Sequence, residues 1–431
     1  PTLSVGQRRG APQASRESRC PGGSSERSTA SWCVMLSAVD AVSSVEDLLE
    51  AAEARTGLSE WGDDWFRQPL AAWVEDLGSD HLNGVGRSFF TSLAIRDLCR
   101  RLEVIDTLNR HPEIDDVVIP PIVYVTGTVR SGTTLFHNAM SLHAGAKALL
   151  RWELMEPVPP PERATALTDP RIARVQASID KRRGTPLEAM HWVNADEPEE
   201  CQWGFIDFVS LLAGAAGGCM LRWGEMSTRA DYTRVFENYR RLIKLLLWKN
   251  PPPDDGFLVL KAPQVASHLE AFSTVFPEAR FLVTVRDPYR VFTSGRSMVS
   301  GIVDAFITDD FEPPDPFPIE NLEQVLQCLL DFDAASPELV TTIDYPALVT
   351  DPAAVAAAAY AELGLPVDDE FTSKVEKFLD AQRGGARARP PSALPDPGLS
   401  HDQVLRRPTV AAFCDRFGVE PERTRLTGAH P

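Results

Sequence analysis

Short segments rich in apolar residues alternate with longer amphipathic segments through the middle of the chain. The apolar segments at 122–125, 257–260, 281–285 and 339–345 predict buried strands. Each is followed by apolar residues that recur every three or four positions, which predicts a helix. Alternation of strand and helix is typical of a parallel sheet with helices on both faces. The sequence therefore predicts an α/β fold.

The pattern divides the chain into four parts. Residues 1–40 are rich in Ser, Arg, Gly and Pro without apolar periodicity, which predicts a disordered N-terminal extension. Residues 41–115 read as a helical lead-in packed on the core, 116–385 as the core, and 386–431 as a C-terminal loop and tail. The long segment between the first two core strands predicts a large helical insertion. It enters near the strand ends, where a substrate pocket is usually built.

A glycine-rich turn follows the first core strand and leads into a helix predicted from Leu135 to Met140. The spacing Gly127-x4-Gly132 matches a nucleotide P-loop, but a threonine stands where the lysine for β- and γ-phosphates is expected. The positive charge lies earlier in the turn, at Arg130. The sequence thus predicts a P-loop-type sheet whose loop holds a phosphate, outside the chemistry of triphosphate and Mg²⁺. The turn reads Gly127-Thr128-Val129-Arg130-Ser131-Gly132-Thr133-Thr134.

Two further strand ends carry cationic residues. Arg286 follows the strand 281–285, and Ser294 falls about two turns into the next helix by its spacing. An arginine fork with a hydroxyl nearby is suited to a phosphate group. Lys261 ends the strand 257–260 and is followed by Ala262-Pro263. Ligands of parallel sheets bind at such strand ends, so these residues predict one shared anion site.

These motifs resemble sulfotransferases that use 3′-phosphoadenosine 5′-phosphosulfate (PAPS), in particular the bacterial type called sulfotransferase family 3. The likeness rests on Arg130-Ser131-Gly132-Thr133-Thr134, on Arg286-x7-Ser294 and on Lys261-x-Pro263. It extends to Trp152-Glu153 and to the His191…Pro198-Glu199-Glu200 segment. The late Arg-Lys-Gly segment of cytosolic sulfotransferases, a further 3′-phosphate ligand, is matched only poorly by Arg383-Gly384-Gly385 and Arg387. The 3′-phosphate site is therefore weaker here, or other residues complete it.

The resemblance implies a role for each site residue. Arg286 and Ser294 would bind the 3′-phosphate, and Lys261 would stabilise charge that develops on the bridging oxygen. The 5′-phosphate, which is the leaving group, would be bound by the loop residues Gly127, Thr128, Arg130, Ser131, Gly132, Thr133 and Thr134. The reaction would be an in-line displacement that needs PAPS as co-substrate and no metal ion.

The general base that takes the acceptor proton is left open between two residues. Glu153 is the first choice, because protein-tyrosine sulfotransferases carry a catalytic Glu at a similar distance after the loop. His191 is the second, since cytosolic steroid and phenol sulfotransferases use a histidine. Glu199 and Glu200 are interpreted as the start of a helix, where carboxylates suit the N-terminal dipole.

The amino-acid composition limits the classes of partner that the chain is expected to bind. The chain has 61 Asp and Glu against 43 Lys and Arg, a net charge of −18, which argues against nucleic acid. The seven cysteines show no metal spacing and predict reduced thiols in the cytoplasm. The apolar stretch 205–220 is too short for a transmembrane span and is interpreted as a buried helix under the acceptor site. The predicted acceptor is a hydroxyl or amine of a small molecule, lipid or glycan, with peripheral membrane contact left open.

Two other functions stay in competition at this level. A P-loop kinase or NTPase would share the loop. Against this function, the chain lacks the P-loop lysine, and a kinase would not need the pair Arg286 and Ser294. An inactive nucleotide-binding scaffold would keep the fold while Lys261 and Glu153 point away from the loop. The sequence leaves the oligomeric state and the identity of the acceptor open.

Overall fold

The computed structural model describes residues 44–181, 193–208, 218–315, 317–383 and 398–422. Its centre is a five-stranded sheet in the order β2-β3-β1-β4-β5, and all neighbouring strands run parallel. The α/β prediction is confirmed. The strands are β1 (Ile122–Gly127), β2 (Ala146–Ala148), β3 (Phe257–Lys261), β4 (Ala279–Val285) and β5 (Val340–Asp344).

The order of the strands determines where the predicted site residues lie. β1 lies between β3 and β4, so the loop after β1 is flanked by the ends of both neighbours. Residue pairing runs from Ile122↔Ala279 to Gly127↔Thr284 on one side and from Ile122↔Leu258 to Val125↔Lys261 on the other. The predicted positions at three strand ends therefore meet at one edge of the sheet, as ligand sites in parallel sheets do.

Helices cover both faces of the sheet. On one face, Tyr124, Leu260 and Phe281 pack with helices of the insertion; on the other, Val125 and Leu282 pack with the helix after the loop. Both faces are buried, which explains why β1 and β3 read as continuous apolar runs. The helices before β4 are α1 (Val45–Thr56), α2 (Arg67–Leu77), α3 (Gly84–Arg110), α4 (Thr133–Met140), α5 (Arg151–Met155), α6 (Pro170–Asp180), α7 (Leu221–Thr228), α8 (Tyr232–Trp248) and α9 (Leu269–Val275).

The C-terminal half adds seven described helices. Their bounds are α10 (Pro288–Phe306), α11 (Ile319–Ala335), α12 (Tyr345–Thr350), α13 (Pro352–Glu362), α14 (Asp369–Arg383), α15 (His401–Leu405) and α16 (Pro408–Phe417). The last two lie in the part that the sequence reads as loop and tail. Val410 and Phe413 of α16 are buried against the main core, so this segment is packed structure.

The structure contains one strand that the sequence did not predict and describes one apolar segment only in part. The three-residue β2 has no apolar run, because its residues are only half-buried at the sheet edge, so the pattern could not predict it. The stretch 205–220 is described only in part: Phe205 to Phe208 follow a short 3-10 helix (Cys201–Gly204) without forming a helix. Residues 209–217, where the rest of the predicted buried helix falls, lie outside the described residues.

Two buried arginines join the N-terminal helices to the insertion. Arg100 of α3 donates to the carbonyl oxygens of Leu154 at 3.1 Å and of Phe205 at 2.7 Å. Arg101 Nη1 lies 2.7 Å from Asp207 Oδ1, and both side chains are fully buried. Burial raises the pKa of Asp207 to about 6 even though Arg101 opposes that shift. The ion pair holds the insertion against α3, although burying both charges costs desolvation free energy.

None of the described helices combines the length and the apolar character that crossing a bilayer requires. The five described cysteines, Cys99, Cys201, Cys219, Cys328 and Cys414, are free thiols.

Loss of the buried carboxylate should destabilise the fold strongly. In Asp207→Ala the guanidinium of Arg101 loses its buried counter-charge and keeps only the more exposed Asp63 at 3.6 Å, and we expect the free energy of unfolding to fall by about 3 kcal/mol. Urea denaturation measures this. The control is Asp64→Ala, which removes an exposed partner of Arg67 and should leave the midpoint unchanged. Equal midpoints for the two variants would contradict the anchoring role.

Candidate functional site

The loop after β1 is a backbone concavity built by unusual dihedral angles. Gly127 has φ 137°, Arg130 φ 67° and Gly132 φ 89°. A Cβ on Gly127 would lie 2.4 Å from the carbonyl oxygen of Thr284 in β4. Glycine is required there both for the dihedral angle and for the close approach of the strands. Such alternation of backbone conformations turns successive N–H groups towards one point and suits an anion.

The helix after the loop begins in a way that leaves its first amides for a ligand. α4 starts at Thr133, and its N-cap residue Gly132 supplies no side-chain hydrogen bond. The first N–H groups of a helix have no partner within the helix, and its positive dipole end favours an anion. Thr128 Oγ1 is buried in the same loop, and no described residue bonds it. The loop therefore offers donors to a phosphate group.

The side chain of Ser131 holds the shape of the loop. It is fully buried, and its Oγ donates to the carbonyl oxygen of Thr128 at 2.6 Å and lies 2.6 Å from Thr284 Oγ1. Thr284 in turn donates to the carbonyl oxygen of Thr126 at 3.2 Å. The single proton of the Ser131 hydroxyl is thus used within the protein, and any hydrogen bond that this residue donates to a ligand would come from its backbone amide.

The second motif lies directly against the loop. Arg130 Nε donates to Ser294 Oγ at 3.0 Å, and Arg286 Nη1 donates to the carbonyl oxygen of Arg130 at 2.8 Å. The guanidinium of Arg286 also stacks over the ring of Tyr345, 4.0 Å from its centroid. The structure therefore brings Arg130, Arg286 and Ser294 together, although 164 positions separate Arg130 from Ser294.

Arg286 has a further partner that the sequence does not suggest. Its Nε lies 2.7 Å from Glu422 Oε1, and its Nη2 lies 3.2 Å from Glu422 Oε2. Arg290, in the first turn of α10, approaches the same carboxylate at 3.9 Å. Glu422 is near the C-terminus and belongs to no recognisable motif, so only the folded chain reveals the contact.

Lys261 reaches the loop from the opposite neighbour of β1. It ends β3, is 1% exposed, and its Nζ lies 3.3 Å from Thr134 Oγ1 and 2.6 Å from Glu200 Oε1. Burial, followed by the charge of Lys261, lowers the pKa of His137 in α4 to about 3. Lys261 thus brings a buried positive charge to the helix that begins at the loop.

Glu153 has a largely structural set of contacts. Its side chain is fully buried, Oε2 accepts from the amide of Leu150 at 2.9 Å, and Oε1 accepts from Lys147 at 3.1 Å and Asn250 at 2.9 Å. It thereby caps the start of α5. Its role as a base stays a prediction. His191 lies outside the described residues.

Glu200 is the residue that the sequence analysis did not place in the site. It precedes the 3-10 helix but makes no side-chain cap; its carboxylate pairs with Lys261, and Gln202 donates to its other oxygen. The adjacent Glu199 forms a buried ion pair with Arg151 at 2.8 Å. The Pro-Glu-Glu segment was the available signal, but spacing alone could not show that a carboxylate meets a lysine 61 positions away.

The two segments that hold Glu153 and Glu200 pair with each other. The amide of Trp152 donates to the carbonyl oxygen of Ala195 at 2.9 Å, and the amide of Glu199 donates to that of Leu149 at 3.0 Å. Within the described ranges, no group of His, Cys, Asp and Glu is arranged to hold a metal ion. The arrangement combines a loop whose shape suits an anion with a lysine–carboxylate pair. Such a combination suits the binding of an anionic group beside a carboxylate that can accept a proton.

The chain is similar to known proteins in both sequence and fold. A sequence profile described as the sulfotransferase family matches residues 121–369, more than half of the chain. The matched region contains the loop, Lys261, Arg286, Ser294, Glu153 and Glu200. A search of curated proteins gives no match.

Two solved structures share the fold over most of their length. The crystal structure of sulfotransferase STF9 from Mycobacterium avium is 25% identical, with a TM-score of 0.78 over 89% of this chain and 99% of that one. Sulfotransferase STF1 from Mycobacterium tuberculosis H37Rv is 23% identical, with a TM-score of 0.72 over 86% of this chain and 99% of its own. The second likeness concerns the fold alone.

Replacing the loop glycine should disrupt the contact between β1 and β4. In Gly127→Ala the new methyl group meets the Thr284 carbonyl at a positive φ, and we expect a loss on the order of 3 kcal/mol in unfolding free energy. The control is Gly301→Ala in α10, where the methyl group enters open space and should cost nothing or stabilise slightly. Chemical denaturation compares the two. An unchanged Gly127→Ala midpoint would refute the close packing.

Proposed function

The chain belongs to the sulfotransferase family, and we propose that it transfers the sulfuryl group of PAPS to a hydroxyl or amine acceptor. The observation that carries this proposal is the contact of Arg130, Arg286 and Ser294 around the loop after β1. A 5′-phosphate on the loop and a 3′-phosphate on Arg286 and Ser294 would make use of both features. A kinase or NTPase would need only the first.

Each loop group has a proposed task in donor binding. The backbone of Gly127 to Thr134, with Arg130 and the hydroxyls of Thr128, Thr133 and Thr134, would bind the 5′-phosphate; Ser131 contributes by fixing the loop. Thr128 Oγ1 supports the fit, because it is a buried hydroxyl that no described residue bonds. Arg286 and Ser294 would bind the 3′-phosphate through a guanidinium and a hydroxyl.

Lys261 is proposed to stabilise the leaving group. Its Nζ lies 3.3 Å from Thr134 Oγ1, at the helix start where the 5′-phosphate would bind. In-line sulfuryl transfer, like phosphoryl transfer, places negative charge on the oxygen that leaves. A buried ammonium near that oxygen stabilises the charge more than an exposed one would, because the surroundings have a low dielectric constant.

The general base is proposed to be Glu200. Its carboxylate contacts Lys261, which contacts the loop, so an acceptor hydroxyl placed beside the sulfuryl group would lie near it. The described contacts of Glu153 are instead to its own helix start, Lys147 and Asn250. Glu153 and His191 stay predictions for the same role. We propose a small molecule, lipid or glycan as the acceptor, and a reducing compartment because the described cysteines are free.

Donor binding is tested by calorimetric titration with adenosine 3′,5′-bisphosphate, AMP and Mg-ATP. Arg286→Ala should weaken binding of the bisphosphate by about 100-fold and leave AMP unchanged, because only the 3′-phosphate loses a charged hydrogen-bond partner. Arg280→Ala is the control, since Arg280 lies at the opposite end of the same strand and is exposed. Equal or tighter binding of Mg-ATP would favour the kinase instead.

The base is tested by the rate at which PAPS is converted to the bisphosphate in the presence of alcohols, phenols and amines. Glu200→Gln should lower kcat by 100-fold or more and remove the acidic limb of the pH–rate profile, with bisphosphate affinity retained. Glu153→Gln and His191→Gln are measured beside it. If either of them loses the acidic limb while Glu200→Gln keeps it, that residue is the base.

A further inference from the structure

The carboxylate of Glu422 lies where an anion would bind Arg286. Two nitrogens of the guanidinium face its two oxygens, at 2.7 Å for Nε and 3.2 Å for Nη2. A guanidinium offers the same paired donors to a phosphate as to a carboxylate. Arg290 Nε, 3.9 Å from Glu422 Oε2, adds a second positive charge on that side.

The other sides of Arg286 are already in use. Nη1 donates to the carbonyl oxygen of Arg130, and the flat face covers the ring of Tyr345. The guanidinium is therefore fixed in orientation, and the edge formed by Nε and Nη2 is the one directed to Glu422. An incoming phosphate that uses this edge has to replace the carboxylate.

A packed segment holds Glu422 in this position. Its backbone amide donates to Asp287 Oδ2 at 2.8 Å, and Asp287 Oδ1 caps α10 by accepting from the amide of Tyr289 at 2.9 Å. The preceding helix α16 is held by Arg416, whose Nε donates to Asp333 Oδ2 at 2.7 Å. The contact between Glu422 and Arg286 is thus built from several elements and does not rest on one surface side chain.

We propose that Glu422 is an internal competitor for the 3′-phosphate of the nucleotide. The inference rests on the proposed function of Arg286 as a 3′-phosphate ligand. When a nucleotide with a 3′-phosphate binds, the Glu422 carboxylate leaves the arginine edge; when the bisphosphate product departs, the carboxylate returns. The departing product therefore leaves no unpaired, partly buried guanidinium, which favours its release. A nucleotide without a 3′-phosphate does not meet this competition.

The competition is measured by calorimetric titration of the full chain and of Glu422→Gln with adenosine 3′,5′-bisphosphate and with AMP. The variant should bind the bisphosphate about tenfold more tightly, because the apparent Kd scales inversely with the fraction of molecules whose arginine edge is open. Its affinity for AMP should not change. Glu420→Gln, an exposed glutamate two positions earlier, is the matched control and should behave like the wild type for both nucleotides.

The outcomes separate this inference from the proposed function. If the wild type and Glu422→Gln both bind the bisphosphate no better than AMP, the 3′-phosphate site itself is wrong. If the wild type prefers the bisphosphate and Glu422→Gln shows the same Kd, the donor site stands and the competition is refuted. Glu422→Asp gives a second variant with its charge retained; its shorter side chain should bind Arg286 less well and give an intermediate Kd.

Discussion

The close approach of β1 to β4 at the end of the sheet is the constraint on which the site depends. Gly127 lies against the Thr284 carbonyl, and Ser131 and Thr284 fix the loop through their hydroxyls. Because these contacts fix the backbone conformation of the loop, the loop amides and the start of α4 are oriented before any ligand binds. Arg286 directly follows the strand that carries Thr284, so this close contact also sets the spacing between the two proposed phosphate-binding regions.

The sequence predicted those parts of the structure that residues close together in the chain determine. Buried strands such as β1 and β3 are continuous apolar runs, which the residue pattern alone reveals. The loop and its neighbours were predictable for a related reason, since parallel strands deliver their ends to one edge. The edge strand β2 was not, because three half-buried residues carry no periodic signal.

The partners of the site residues could not be predicted, because they come from distant parts of the chain. Glu200 reads as a helix start by its neighbours, yet its carboxylate meets Lys261. Glu153 reads as a catalytic candidate, yet the described contacts give it a helix cap and an ion pair with Lys147. Buried charges must be paired, and which charge pairs with which is decided by the packing of the insertion on α3 and β3.

Asp287 connects three elements: it caps α10, accepts the amide of Glu422, and lies 3.6 Å from His401 Nε2 in α15. The start of α10 and the segment that carries Glu422 are therefore coupled through one carboxylate. A change that reshapes α15 or α16 also changes how the start of α10 is capped, and with it the setting of Arg286. In alignments of relatives, substitutions at 398–422 and at 286–294 should occur together. A truncated protein that ends before α15 would also lack Glu422, so its site would carry one negative charge fewer.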